Sequence, residues 1–323
     1  MSQFDLVILG GGSGGYAAAL RGAQLGLSVA LIEADKVGGT CLHRGCIPTK
    51  ALLHSAEIAD GAREGSHFGV KSTFDGIDMA GVNSYKDGVI GKLYKGLTGL
   101  VKSRGITFIE GYGKLVAKDA VEVNGVRYTG KNVILATGSY AKTLPGLEID
   151  GEKIITSDHG TKMSYVPKSV IVLGGGVIGC EFASVWKSFG ADVTIIEGLP
   201  HLIALEDESS SKQLERAFRK RGIKFELGVR FQSATKNADG VTVTLEDGKT
   251  FTAEVLMVSV GRGPVSANLG YEEQDIAMDR GYVLVDDKTD CSSYAVAHMV
   301  PDADHLNRIS KEEEKTEDEH ADL

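Results

Sequence analysis

Leu6-Val7-Ile8-Leu9-Gly10-Gly11-Gly12-Ser13-Gly14-Gly15 runs from an apolar strand into a glycine turn, and residues 16–25 continue as an Ala-rich helical stretch. Gly26 stops that helix, residues 27–32 read as a second strand, and Glu33 closes it. Strand, glycine turn, helix, strand and acid form the context in which Gly-x-Gly-x-x-Gly marks a dinucleotide site. The unit recurs. Residues 169–173 are apolar, Gly174-Gly175-Gly176-Val177-Ile178-Gly179 opens a helix through Phe189, Gly190 ends it, and residues 192–196 lead to Glu197. The first glycine and the acid are 23 residues apart in both copies.

Working outward, the copies continue alike. Lys102-Ser103-Arg104-Gly105-Ile106-Thr107-Phe108 resembles Lys220-Arg221-Gly222-Ile223-Lys224-Phe225, and alternating strand-like segments follow at 120–128 and 240–251. Each copy closes on a buried-type strand and a glycine turn, 132–136 before Thr137-Gly138-Ser139 and 254–260 before Gly261-Arg262-Gly263-Pro264. The expected fold is therefore α/β, with two Rossmann-like dinucleotide-binding domains, each carrying an inserted β-meander. The predicted boundaries are 1–146 and 147–270, then a return segment to the first domain at 271–306 and an acidic, disordered tail at 307–323. Charge and apolar patterning in residues 45–105 suggests helices inserted in the first domain, and residues 281–286 suggest one more strand.

Length and composition narrow the classes. The chain has 323 residues, enough for about two domains. Glycine is abundant at 42 and proline scarce at 6, which favours tight turns and close backbone approach over linker or collagen. A net charge of −9 argues against nucleic-acid binding. No uncharged run reaches the roughly 20 apolar residues that a membrane span needs, and no basic segment precedes the first apolar run, so a cytoplasmic protein is expected. The last 13 residues hold seven acids and two bases, a solvated end or an acidic partner-binding tail.

The glycines let backbone approach a pyrophosphate, while the following helix directs N–H groups and its positive end at the charge. The plainer reading is that they serve helix–strand packing alone. Glu33 and Glu197 can accept hydrogen bonds from ribose hydroxyls. A carboxylate repels a 2′-phosphate, and residues 198–203 hold no Arg or Lys, so Glu197 favours NAD over NADP.

Between the two copies lies Gly38-Gly39-Thr40-Cys41-Leu42-His43-Arg44-Gly45-Cys46-Ile47-Pro48-Thr49-Lys50. Pro48 suits the first turn of a helix beginning near Ile47. Cys46 then sits at a helix N-terminus, which favours negative charge. Cys41, on a glycine-bounded loop, could close a small ring with it as a redox couple. A half metal site and two inert thiols are the alternatives. Cys180 and Cys291 are isolated, and no metal is expected.

These segments, together with Ala136-Thr137-Gly138-Ser139, resemble the flavoprotein disulfide reductases with two dinucleotide-binding domains, in particular the dihydrolipoamide dehydrogenase branch. The resemblance covers residues 4–290. It implies FAD held in the first domain by Gly10, Gly12, Gly15 and Glu33, with Gly113, Thr137, Gly138 and Ser139 nearby. It implies NAD held in the second by Gly174, Gly176, Gly179 and Glu197, with Gly261 close by. Cys46 would face the flavin, Cys41 would exchange with dihydrolipoamide or a lipoylated protein, and Lys50 would lie near flavin N5, paired with Glu181 beside the nicotinamide. Electrons would run from dihydrolipoyl thiols through the Cys41–Cys46 disulfide and FAD to NAD, a role in cell redox homeostasis.

Two departures from the family pattern stand out. The family's C-terminal interface domain, with its catalytic His-Glu pair, is absent from the sequence. None of His298, His305 and His320 has a Glu five positions on. A monomer or weak dimer of impaired activity is expected. Ala297-His298 also stand where the family's second FAD motif carries Gly-Asp. The competing expectations are a non-catalytic nucleotide- or partner-binding remnant and a related NAD(P)H disulfide reductase.

Overall fold

The structure, a computed structural model, describes residues 2–286 and the two-residue strand 297–298. The predicted acidic tail, Cys291, His305, His320 and the rest of the second FAD-like motif lie outside the described residues. The described residues divide into two compact units, one of residues 2–43, 91–140, 263–286 and 297–298, the other of residues 44–90 and 141–262.

The first unit opens with β1 (Ser2–Leu9), α1 (Ser13–Gln24), β2 (Val29–Glu33) and the short α2 (Gly39–His43). The helices α3 (Cys46–Glu64) and α4 (Met79–Ser103) follow, and the chain passes back into the first unit within α4. Next come β3 (Thr107–Glu110), β4 (Gly113–Ala117), β5 (Ala120–Val123) and β6 (Val126–Leu135). Their sheet runs β3-β2-β1-β6-β5-β4. Here the meander and the returning strand are one continuous element. β6 pairs antiparallel with β5 from Val126 to Thr129 and parallel with β1 from Tyr128 to Leu135. Val7, Ala30, Ile32, Leu115, Val121 and Leu135 fill one side of the sheet, and Ile8, Leu31 and Ala19 fill the other. Strands buried on both faces read as unbroken apolar runs, which is why 6–9 and 29–32 were legible.

After β7 (Ser139–Ala141) the second unit contains β8 (Ile154–Ile155), α5 (Ser157–Gly160), β9 (Ser169–Leu173), α6 (Val177–Phe189), β10 (Asp192–Ile196), α7 (Glu208–Lys220) and β11 (Lys224–Glu226). A separate antiparallel meander, β12 (Phe231–Lys236), β13 (Val241–Leu245) and β14 (Thr250–Ala253), precedes β15 (Val255–Val258). The main sheet, β11-β10-β9-β15-β8, is parallel throughout. α6 buries Phe182, Val185, Trp186 and Phe189 and ends at Gly190, whose φ of 110° gives a left-handed cap. α7 is capped by Asp207, whose side chain accepts from the Ser209 and Ser210 amides, and it buries Ser211, Glu215 and Phe218 at i, i+4 and i+7.

Leu52 and Ala56 of α3 join the core built by Val172, Phe182, Trp186 and Ile195, so residues 44–90 group with the second unit rather than with the glycine turn that precedes them. Each fully buried Leu, Val, Ile or Phe among them contributes about 1.5–3 kcal/mol. The last described elements are β16 (Arg262–Pro264), β17 (Met278–Asp279), β18 (Tyr282–Val283) and β19 (Ala297–His298). The strand expected at 281–286 is thus a short one. β19 pairs in parallel with Ile134 and Leu135 of β6. No helix among the described residues is long and apolar enough to cross a membrane.

Candidate active site

The two glycine turns repeat bond for bond. Gly10 donates to the Ile32 carbonyl and Gly174 to that of Ile196, both at 2.8 Å. The Gly11 amide donates to Glu33 Oε2 at 2.6 Å, and the Gly175 amide to Glu197 Oε2 at 2.5 Å. The second oxygen of each acid accepts from a backbone amide two residues on, Asp35 at 2.9 Å and Leu199 at 2.7 Å. Gly12 and Gly176 are the N-caps of α1 and α6, and neither cap carries a side-chain bond.

The three glycines of each turn do different work. At Gly10, with φ 108°, a Cβ would collide with the Ala136 carbonyl, and at Gly174, with φ 107°, it would collide with that of Ser259. At Gly15 and Gly179 it would collide with the carbonyls of Gly10 and Gly174. Those four glycines are demanded by the protein's own packing. Around Gly12 the nearest atom is Gly39 Cα at 3.9 Å, and around Gly176 nothing lies within 4 Å. No protein atom requires the middle glycine, so each turn leaves a cradle of backbone and open space at a helix N-terminus, which fits a pyrophosphate.

Gly138 and Gly261 also have positive φ, 78° and 107°, and open space about them. Gly113 differs. A Cβ there would meet Leu9, Val121 and Ile32, so core packing accounts for it. Thr137 donates its hydroxyl to the Val265 carbonyl and lies 3.1 Å from the buried Tyr271 hydroxyl. Ser139 lies in β7.

In the second unit Cys46 is the first residue of α3, with Gly45 as its N-cap. Pro48 falls in the first turn and Thr49 ties back to the Gly45 carbonyl at 2.6 Å. Four residues into the helix, Lys50 Nζ donates to Glu181 Oε1 at 2.6 Å. Glu181 stands on α6 as its fifth residue, two residues past Gly179 of the second glycine turn. The structure thus brings the Cys46 helix, Lys50, Glu181 and the turn 174–179 into one unit. Cys41 sits in the middle of the helical turn α2 rather than on an irregular loop. That turn is pinned by His43, whose Nε2 is 3.0 Å from the Val37 carbonyl and whose ring meets Tyr94 edge-on at 5.1 Å.

Cys180 is a free, buried thiol that donates to the Gly175 carbonyl at 3.2 Å, and burial, with Glu197 and Glu181 adding to it, pushes its pKa up to about 12. It is inert packing under the turn. No cluster of His, Cys, Asp and Glu among the described residues could hold a metal.

Two contributors escaped the sequence reading. Ser259 donates its hydroxyl to the Gly174 carbonyl at 2.9 Å and its amide to the Leu173 carbonyl at 2.8 Å, matching the bond from Ala136 to Leu9 in the first unit. The equal position after β15 and β6 was the available signal. Tyr271 had none, since its partner Thr137 is 134 residues away.

The pyridine nucleotide-disulphide oxidoreductase family matches residues 4–296. The chain belongs to that family. Among its members, the dihydrolipoyl dehydrogenase of Bacillus subtilis is 39% identical over 320 residues, covering 93% of this chain and 68% of the relative. That of Cupriavidus necator is 42% identical over 305 residues, covering 88% and 64%. The HOCl-induced flavoprotein disulfide reductase RclA from Escherichia coli superposes with a TM-score of 0.78 at 26% identity, over 91% of this chain and 65% of that one. The chain spans about two thirds of the length of the relatives it matches.

Proposed function

We propose that this oxidoreductase is a flavin-dependent, dihydrolipoamide dehydrogenase-type enzyme that exchanges electrons between dihydrolipoyl thiols, a Cys41–Cys46 disulfide and NAD. The observation carrying this reading is the Lys50–Glu181 ion pair, which ties the helix opened by Cys46 to the helix opened by the second glycine turn. Thiol chemistry and a nucleotide cradle are coupled through one pair of charges.

The first turn, with Gly10, Gly12, Gly15 and Glu33, is the FAD site, and the second, with Gly174, Gly176, Gly179 and Glu197, is the NAD site. Both fit their groups because their middle glycines are left open by the protein itself. When bound, FAD supplies the two-electron chemistry that side chains lack.

The chain's own residues do the rest. Cys41 exchanges with a dihydrolipoyl thiol of lipoamide or a lipoylated protein. The substrate sulfur first forms a mixed disulfide with Cys41 as the Cys46 sulfur leaves, the second substrate thiol then closes the substrate disulfide as the Cys41 sulfur leaves, and the two substrate thiol protons pass to the cysteines, which are left as thiols. Cys46 is the first residue of α3, at the end of the helix where the backbone amides point. Lys50 sets a cation at that helix and Glu181 fixes its direction.

The test is the visible spectrum of the purified protein before and after anaerobic NADH. A flavin band near 450 nm, restored by added FAD if lost, and a long-wavelength thiolate band that Cys41→Ser alters are the expected results. No flavin band after FAD addition would leave only a nucleotide-binding scaffold.

A further inference from the structure

Past Glu197 the chain crosses back over the second glycine turn. The Ile203 amide donates to the Gly175 carbonyl at 2.8 Å, and Leu202, fully buried, lies where its Cδ2 would be 2.6 Å from a Cβ on Gly175. In the first unit the same crossing is made by Gly38, whose amide donates to the Gly11 carbonyl at 2.8 Å with a φ of 109°. The second unit makes it with an isoleucine at φ 45°. A β-branched side chain in the left-handed region is strained, and such strain persists only where the surroundings over-determine it.

The surroundings are visible. The Ile203 carbonyl accepts from the Glu206 amide at 2.9 Å and from Ser211 Oγ at 3.3 Å. Its side chain packs on the core beneath α6 and α7. The Leu202 amide donates to Glu215 Oε1 at 3.3 Å. Glu215 is a carboxylate only 6% exposed, and it also accepts from His201 Nδ1 at 3.4 Å and from Arg219 Nη2 at 3.2 Å. A charge that deep is tolerated only when bonded, so its partners are held in turn. Residues 198–206 form a strap clamped to the inner face of α7. At the head of the strap, Leu199 holds one oxygen of Glu197 while the glycine turn holds the other.

Resting on the assignment of the second turn to NAD, we propose that Glu215, acting through this strap and the strained Ile203, is a positioning residue for dinucleotide selectivity. It keeps the Glu197 carboxylate where a ribose 2′-hydroxyl is accepted and a 2′-phosphate is repelled. Glu215 itself touches no cofactor. Loosening the strap lets Glu197 turn away, which weakens NAD and removes the barrier to NADP.

The experiment is calorimetric titration of the full chain with NAD⁺ and NADP⁺, with thermal unfolding alongside. Glu215→Gln is expected to lower the NAD⁺-over-NADP⁺ affinity ratio by about tenfold. Ile203→Gly copies the residue type that the first unit uses at this crossing and relieves the left-handed strain, so it is expected to fold, which the thermal scan checks. By removing the side-chain anchor it is expected to lower the ratio by about threefold. A folded Glu215→Gln with the wild-type ratio overturns the proposal, and if that variant does not fold, an unchanged ratio in Ile203→Gly does so. Wild-type protein that binds neither dinucleotide sinks the NAD assignment and this inference together, whereas unchanged ratios in variants that bind NAD⁺ sink the inference alone.

Discussion

Lys50 and Glu181 are each the fifth residue of a helix, and their side chains meet at 2.6 Å. Lys50 is 60% exposed, and an ion pair of that kind contributes at most about 1 kcal/mol to folding. The value of the pair therefore lies in where it puts charge. Lys50→Met is expected to leave the unfolding temperature within a few degrees of wild type while lowering NADH-dependent disulfide reduction by about 10²-fold or more. Paired thermal scans and turnover assays check this. A variant that loses stability and activity in proportion would show the pair to be a structural clamp.

The glycines separate packing from binding. Gly176→Ala meets no atom within 4 Å and has φ −70°, so it is expected to fold like wild type yet bind NAD more weakly. Gly179→Ala must push against the Gly174 carbonyl and the Ser259 hydroxyl, and Gly174→Ala adds an unfavourable φ of 107°. Both are expected to cost about 3 kcal/mol or more in stability. Chemical denaturation of the three variants, with NAD titration of those that fold, decides the matter. Equal losses across the set would mean that all three glycines serve packing alone.

Legibility in the sequence followed the range of the cause. Residues 169–173 and 192–196 were read to the residue because their apolar runs are the direct imprint of burial on both faces. Cys46 at a helix start was legible from Gly45 and Pro48, which act locally. The grouping of residues 44–90 with the second unit was not, because it rests on Leu52 and Ala56 meeting Phe182 and Trp186, far along the chain. The left-handed Ile203 left no trace for the same reason. Isoleucine predicts an extended backbone, and the bonds to Gly175, Glu206 and Ser211, with Glu215 holding Leu202, override it.

Asp150 supplies a pH signature. Burial pushes its carboxyl up, but the amides of Ile154, Glu152 and Lys153 and the Lys236 ammonium outweigh that and bring it down to about 2. A carboxyl lowered on folding adds stability above its unfolded pKa of about 3.9 and loses it as pH falls toward the folded value. Asp150→Asn is therefore expected to cost about 1–2 kcal/mol at pH 7, with the gap to wild type closing between about pH 4 and pH 2. Urea unfolding across that range measures it, and a gap that stays constant with pH would mean that charge plays no part in this turn.

Cys180 gives the last test, because it separates the buried thiol from the pair assigned to redox work. Its sulfur donates to the Gly175 carbonyl, and its pKa near 12 leaves almost no thiolate at neutral pH. Only the thiolate is nucleophilic, and burial blocks reagent as well. Iodoacetamide labelling of the NADH-reduced native protein, read by peptide mass, is expected to mark Cys41 or Cys46 within minutes and to leave Cys180 unmarked until denaturant is added. Early labelling of Cys180 would mean that the second glycine turn opens to solvent on that timescale. The backbone cradle around Gly174 and Gly176 would then not be preformed for a nucleotide.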